Sequence, residues 1–388
     1  MDGFKKELTE NILPYWMEKM QDYDHEGFYG RIDGIDIIHP YANKGAILHA
    51  RILWTFSAAY RILKNDKYRE VAQRAFDYIV KYFIDKEYGG AFWELDYKGN
   101  PVNSKKQMYA QGFMLYGFSE FYRATGSERS LSLSKDFFRT IEKCKDEKFG
   151  GYPEAFTREW QPIYDMRLSE KDANEKKTMN THLHILEPYT NLLRIWKHED
   201  VINAQRSLIS IFTDKIVDSE SYHLNLFFNE FWDIKSSTIS YGHDIEASWL
   251  LTEAAEVLGD SDLLVRIKEI SLKIAKASAK GLDDEGGLNY EKDDTFTDKE
   301  KHWWVQAEAV IGFYNIYQQT NDIKYLNLAS RVWSYIQNYL IDKKNGEWYW
   351  SISSNGSPNL NEDKAGFWKC PYHNGRMCLE MIERLEMQ

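Results

Sequence analysis

Apolar residues recur along the chain at spacings of three and four, the period of an α-helix with one buried face. Over 44–63 the stripe reads Ile47, Leu48, Arg51, Ile52, Trp54, Phe56 and Ala59, and over 66–84 it reads Tyr68, Val71, Ala75, Tyr78, Ile79 and Phe83. The same pattern predicts helix pairs at 104–125 and 127–145, 178–197 and 199–216, 242–258 and 260–279, and 300–318 and 321–340. A first helix at 3–21 and a last at 369–386 bring the number to twelve. Asp, Ser or Asn stands near several predicted starts, and glycine pairs follow alternate helices.

Short glycine-aromatic segments punctuate these helices, at Glu26–Gly30, Tyr88–Trp93, Phe149–Tyr152, Glu285–Tyr290 and Asn345–Trp350. Taking Gly27, Gly89, Gly150, Gly286 and Gly346 as markers, the intervals are 62, 61, 136 and 60 residues. The long interval is close to two periods. A missing marker is expected at 218–230, where Tyr222–Trp232 has the aromatic, strand-like character without the glycine pair. Six repeats of paired helices suggest an all-α fold, an (α/α)6 barrel with two concentric rings and short hairpin-like loops, spanning 1–388 as one catalytic domain. An open solenoid is the alternative, but the terminal helices carry no distinctly polar capping face.

Composition narrows the function. Trp (13) and Tyr (26) are numerous, and large aromatics with a polar edge suit a pocket that is apolar on one wall and hydrogen-bonding on another, as a sugar requires. The net charge of −11, with no basic tract, argues against a nucleic-acid partner or an anionic membrane. Cys144, Cys370 and Cys378 are odd in number and lack zinc spacing, as expected of reduced thiols in a cytoplasmic protein. Residues 1–19 show no signal-peptide pattern, and no apolar run approaches the roughly 20 residues that span a bilayer.

Of ten histidines, His25, His39, His49, His198 and His223 lack chemical companions and read as surface or local hydrogen-bonding residues. His302 stands at a helix start beside two tryptophans. Three others sit in dense polar-aromatic settings on three different predicted inner helices. Asn180, His184 and Glu187 share one helix face, with His182 pointing elsewhere; His243 and Glu246 share another; His373 opens the last helix. There is no HExxH, and His243 with Glu246 supplies two metal ligands without a third, so no metal is expected. G-x-S-x-G, P-loop and G-x-G-x-x-G motifs are absent, leaving no sequence support for a serine nucleophile or a nucleotide. Two enzyme classes remain. A glycoside hydrolase would use a carboxylate pair drawn from the 60 acids. Histidine instead suits removing and returning a proton on carbon beside an aldehyde, with Arg51 a plausible holder of the enediolate oxygen.

Six ordered blocks carry a family resemblance: Lys44–Trp54, Gln107–Phe113, Met179–Thr190, Gly242–Leu251, His302–Ala309 and Trp368–Cys378. Together they resemble the N-acylglucosamine 2-epimerase superfamily, and within it the branch acting on β-1,4-linked disaccharides such as cellobiose and lactose. The resemblance implies an (α/α)6 barrel that interconverts a reducing-end glucose and mannose through a cis-enediol(ate), without cofactor or metal. It implies a small-molecule substrate and a monomer. Carried onto this chain, it makes His243 and His373 the acid/base pair at C2 and gives His184 ring opening and Arg51 the enediolate oxygen. Tyr109, Asn180, Glu246 and Glu308 would bind or orient substrate, Trp304 and Trp368 would stack on it, and Asp172 would touch it from a loop. Mannose isomerase and N-acylglucosamine 2-epimerase share the barrel and stay as alternatives.

Overall fold

The computed structural model describes residues 3–386, which form twelve helices. The first, α1, runs unbroken through Phe4–Glu7, a π-turn at Leu8–Ile12 and Leu13–Lys19. It is followed by α2 (Ala46–Leu63), α3 (Asp66–Tyr78), α4 (Met108–Thr125), α5 (Glu128–Lys143), α6 (Met179–Ile195) and α7 (Glu199–Ile211). The remainder are α8 (Tyr241–Leu258), α9 (Ser261–Ser278), α10 (Trp303–Thr320), α11 (Ile323–Tyr335) and α12 (Tyr372–Glu386). The starts predicted at 104, 300 and 369 are early. Lys106–Gln107 and Lys301–His302 are extended and paired with neighbouring hairpins, and Pro371 stands immediately before α12.

Each even-numbered helix packs on the next, α2 on α4 through to α10 on α12, and α12 packs back on α2. That closure, with a bridge between Ile32 and Ala365, makes the architecture an (α/α)6 barrel rather than an open solenoid. The inner helices are buried almost all round, as Ala46–Ala59 of α2 shows, whereas outer α3 buries only a stripe including Val71, Ala75 and Phe76. Among the described residues, no helix is long and apolar enough to cross a membrane.

The two rings begin differently. Outer helices α3, α5, α7, α9 and α11 are capped by the side chains of Asn65, Ser127, His198, Asp260 and Asp322. Inner helices α2, α4, α8 and α10 have no side-chain cap. Instead the first amides of α2, α4, α6 and α10 donate to hairpin carbonyls of the following repeat, those of Trp93, Glu154, Leu226 and Trp350. Each hairpin is built around an aspartate. Asp85 Oδ1 accepts the amides of Glu87 and Tyr88, while its Oδ2 receives the buried Lys106 ammonium at 2.9 Å. Asp22 with Lys44, Asp146 with Lys177 and Asp283 with Lys301 repeat the pairing. In the fourth repeat Ile239 stands where the lysine would be, and Tyr222 adopts the left-handed conformation (φ 60°) that glycine supplies elsewhere. This is the marker whose glycine pair the sequence lacks.

The opposite end of the barrel is closed by charge. Arg61 pairs with Glu120 and Glu383, Arg123 with Glu120 and Asn191, and Arg194 with Glu253. At the waist, α4 and α6 touch through Gly112, where an added Cβ would lie 2.3 Å from the His184 carbonyl oxygen. Gly112→Ala therefore has to push these inner helices apart. It is expected to destabilise the protein by about 1–3 kcal/mol, read as a lowered thermal midpoint; an unchanged midpoint would contradict this packing.

Candidate active site

The hairpin-bearing end holds a buried ion cluster centred on Arg376 of α12. Its Nη1 donates to Glu187 Oε2 of α6 at 2.5 Å, and its Nη2 lies 2.7 Å from both Glu246 Oε1 of α8 and Glu308 Oε1 of α10. One guanidinium thus ties three inner helices to a fourth. Tyr372 bonds to both Arg376 and Glu187, and Trp249 Nε1 donates to Glu308 Oε2 at 3.0 Å.

The three glutamates differ. Glu187 accepts from Arg376 and Tyr372 and pairs with His184. Burial alone would raise its carboxyl, but the Arg376 charge, the His184 ring and Tyr372 outweigh it and hold the group down to about 2. Glu308 has three partners as well, yet burial wins and its carboxyl is raised. Glu246 has Arg376 on one oxygen and nothing on Oε2. Burial and the neighbouring Glu308 charge raise its carboxyl well above the ordinary value.

This cluster orients two of the histidines. His184 Nδ1 lies 2.5 Å from Glu187 Oε1, and His373 Nδ1 lies 2.7 Å from Glu308 Oε1. His243 has no carboxylate; its Nδ1 lies 2.8 Å from the Ser240 hydroxyl. With each Nδ1 engaged, Nε2 is the nitrogen left for chemistry. All three rings hold a proton less readily than a free histidine. Burial lowers His184 against the pull of Glu187. Burial and the Arg51 and Arg376 charges hold His373 well below its usual value. Burial, with the neighbouring His184 ring, takes His243 down to about 3.

Trp304 joins the two later histidines, with ring centroids 4.6 Å from His243 and 5.7 Å from His373. On the facing wall Tyr109 lies edge-on to His184 at 4.8 Å and Trp368 lies 6.1 Å from Tyr109. Arg51, from α2, donates to the Tyr109 hydroxyl at 2.8 Å, and its guanidinium lies against the rings of Phe113 (4.2 Å) and Tyr372 (4.9 Å). Asn180 stands on the first turn of α6, half-buried, its Oδ1 without a protein partner.

Asp172 lies on a long loop over this end, its carboxylate accepting from the Ser169 amide and hydroxyl. The loop is pinned by Lys105 to the Arg167 carbonyl and by Gln107 to that of Met166. Its tip reaches toward the hairpin before α10. There burial, Asp298 and Asp172 push the Glu291 carboxyl up to about 7, and Tyr290 stacks on His302 at 3.9 Å.

The sequence-derived candidates are thus assembled at one end, with some revisions. His243 and Glu246 share a helix face, but Glu246 bonds to Arg376 and His243 to Ser240. His49 and His223 are buried and serve as hydrogen-bonding rather than surface residues, and His182, off the His184 face, is buried too. His49 bonds to the Gly45 carbonyl, His182 receives the Tyr152 amide, and His223 pairs with Asp244. Sequence pattern does not single out Arg376, Tyr372, Trp249 or Ser240 as site residues; only Arg376 carries a signal, as a charged residue amid an otherwise buried helix start. Glu246, Glu308 and His373 present atoms within 4.8 Å of one another, a spacing that would suit a divalent cation. Arg376 Nη2 already bridges both glutamates and supplies the positive charge there.

The chain is similar to known proteins over nearly its whole length. The profile of the family described as N-acylglucosamine 2-epimerase (GlcNAc 2-epimerase) matches residues 27–375. A cellobiose 2-epimerase of Bacteroides fragilis is 54% identical, the match covering 97% of each chain, and one of Ruminococcus albus is 40% identical over 98% of this chain and 97% of its own. The solved structure of cellobiose 2-epimerase from Bacillus thermoamylovorans superposes with a TM-score of 0.95 at 42% identity, covering 98% of each chain.

Removing the central charge tests the cluster. Arg376→Met leaves buried carboxylates uncompensated and is expected to cost about 3–5 kcal/mol. Glu187→Gln, which removes an ionised partner of three donors, is expected to lower the thermal midpoint clearly, whereas Glu246→Gln stays close to the parent. Equal losses in the two glutamine variants would contradict the opposite shifts of Glu187 and Glu246.

Proposed function

The chain belongs to the N-acylglucosamine 2-epimerase family, and we propose that it is a cellobiose 2-epimerase, reversibly converting the reducing-end glucose of β-1,4-linked disaccharides such as cellobiose and lactose to mannose. The observation that carries this reading is the convergence of His184, His243 and His373 on one pocket beside the fixed charge of Arg51.

In the open-chain sugar the C2 proton lies beside the C1 aldehyde. His243 or His373 takes it on Nε2, and the electron pair of the broken C–H bond forms the C1–C2 double bond of a cis-enediolate. The aldehyde oxygen gains the negative charge, and Arg51 holds it. The histidine on the opposite face then delivers a proton to C2, the aldehyde re-forms and the carbon is inverted. The pair holds one proton between them before and after, so the balance requires no oxidant or cofactor. His184, with ionised Glu187 behind it, moves the proton between O1 and O5 that opens the ring. Tyr109, Asn180, Glu246 and Glu308 orient hydroxyls or histidines, Trp304 and Trp368 stack on the sugars, and Asp172 reaches the substrate from its loop.

Return of the proton to C1 would give a ketose instead, the outcome of a mannose isomerase, and differs only in which carbon faces the donor. A hydrolase reading is weaker, because Glu187, Glu246 and Glu308 all bond to Arg376 and none is free to flank a glycosidic bond. The proposal includes a cytoplasmic monomer acting as one unit over 1–388; the three unpaired cysteines are in keeping with a reducing compartment.

Incubation with cellobiose in heavy water should give glucosyl-mannose carrying deuterium at C2. Released monosaccharide would point to hydrolysis, and a ketose product to isomerisation. His373→Asn and His243→Asn should each lower kcat by at least about 100-fold with the fold retained. The lowered histidines also set a pH dependence. A base with a depressed pKa stays unprotonated further into acid, so the acid limb of kcat/KM should lie below the ordinary histidine value of about 6.5; a limb above it would contradict the burial of these rings.

A further inference from the structure

Ser240 is the residue immediately before α8, and it is fully buried. A serine there ordinarily turns its hydroxyl onto an amide of the first helical turn. Thr178, in the same place before α6, does so, accepting from the Thr181 amide at 3.1 Å. Ser240 does not cap its helix. Its hydroxyl lies 2.8 Å from Nδ1 of His243, the residue whose amide a cap would have taken.

The three pocket histidines then form a series. His184 and His373 are held at Nδ1 by glutamates that are themselves fixed by Arg376. His243 is held at the same atom by a hydroxyl from its own helix start, with the Trp304 ring at 4.6 Å beside it. It is also the half-buried member of the three, whereas the other two are buried. Among the described residues, no other hydrogen bond to the His243 ring is present. Without the hydroxyl, nothing but the Trp304 contact would choose between the two flips of the imidazole, only one of which turns Nε2 toward substrate.

We infer that Ser240 is a positioning residue for the reaction, giving up its cap to fix the ring and tautomer of His243 so that Nε2 meets the reacting carbon. The inference rests on the epimerase reading above. Because a hydroxyl does not stabilise an imidazolium as a carboxylate does, the proton-transfer step at His243 depends on alignment more than the step at His373.

The test uses the full-length protein and cellobiose and glucosyl-mannose, each with and without deuterium at C2. Ser240→Ala should lower kcat/KM in both directions by about 10- to 100-fold, the usual range for a lost orienting contact, mainly through kcat. Ser240→Thr should recover most of the activity. Slowing only the His243 step should raise the primary isotope effect for one epimer toward its full value and lower it for the other toward unity. A loss of fold integrity would not split the two isotope effects in this way. Should Ser240→Ala not fold, Ser240→Cys, which keeps the size and weakens the hydrogen bond, carries the same expectation. Activity within twofold of the parent, or isotope effects that move together, would overturn the inference. If the parent protein does not epimerise cellobiose, it is the underlying reading that fails.

Discussion

The site depends on one buried guanidinium. Arg376 has no solvent to solvate it, so it must be paired, and its partners come from three other inner helices. Those pairings fix the axial and rotational positions of α6, α8 and α10 against α12. Helices α6, α8 and α12 then hold His184, His243 and His373 at set heights. Glu187 and Glu308 pass the constraint onward to His184 and His373 through their second contacts. The placement of His184 and His373 is therefore a direct consequence of charge pairing among the inner helices.

The two ends of the barrel solve opposite problems. At the hairpin end α2, α4 and α10 begin without side-chain caps, and the next repeat's hairpin carbonyls satisfy their first amides. In four of the hairpins the aspartate organises its turn and receives a lysine from the strand before an inner helix, so turn, strand and helix start are one hydrogen-bonded unit. This leaves the helix starts open to a ligand. The other end has no such opening, and the paired arginines and glutamates there seal it. Both ends are polar, but only the hairpin end is built to stay accessible.

Much of this was legible in the sequence. Alternating helix types follow from apolar period, and six repeats follow from glycine spacing, because a tight turn after each outer helix needs a left-handed residue. The fourth repeat shows the limit: Tyr222 takes that conformation, and spacing alone pointed to the gap. His184 with Glu187 was readable because both lie on one helix three residues apart. The same spacing put His243 and Glu246 on one face, but not their partners: Glu246 bonds to Arg376, 130 residues away. Ser240 gave no signal at all: a serine before a helix reads as a cap, and its diversion to a histidine ring is visible only in three dimensions.

Asp172, Glu291, Asp298 and Glu300 gather where the long loop meets the hairpin before α10, with Lys171 beside them. Carboxylates held this close together oppose an anion at the same rim. A sugar phosphate or a uronic acid placed there would meet repulsion, whereas an uncharged sugar would meet hydrogen-bond acceptors.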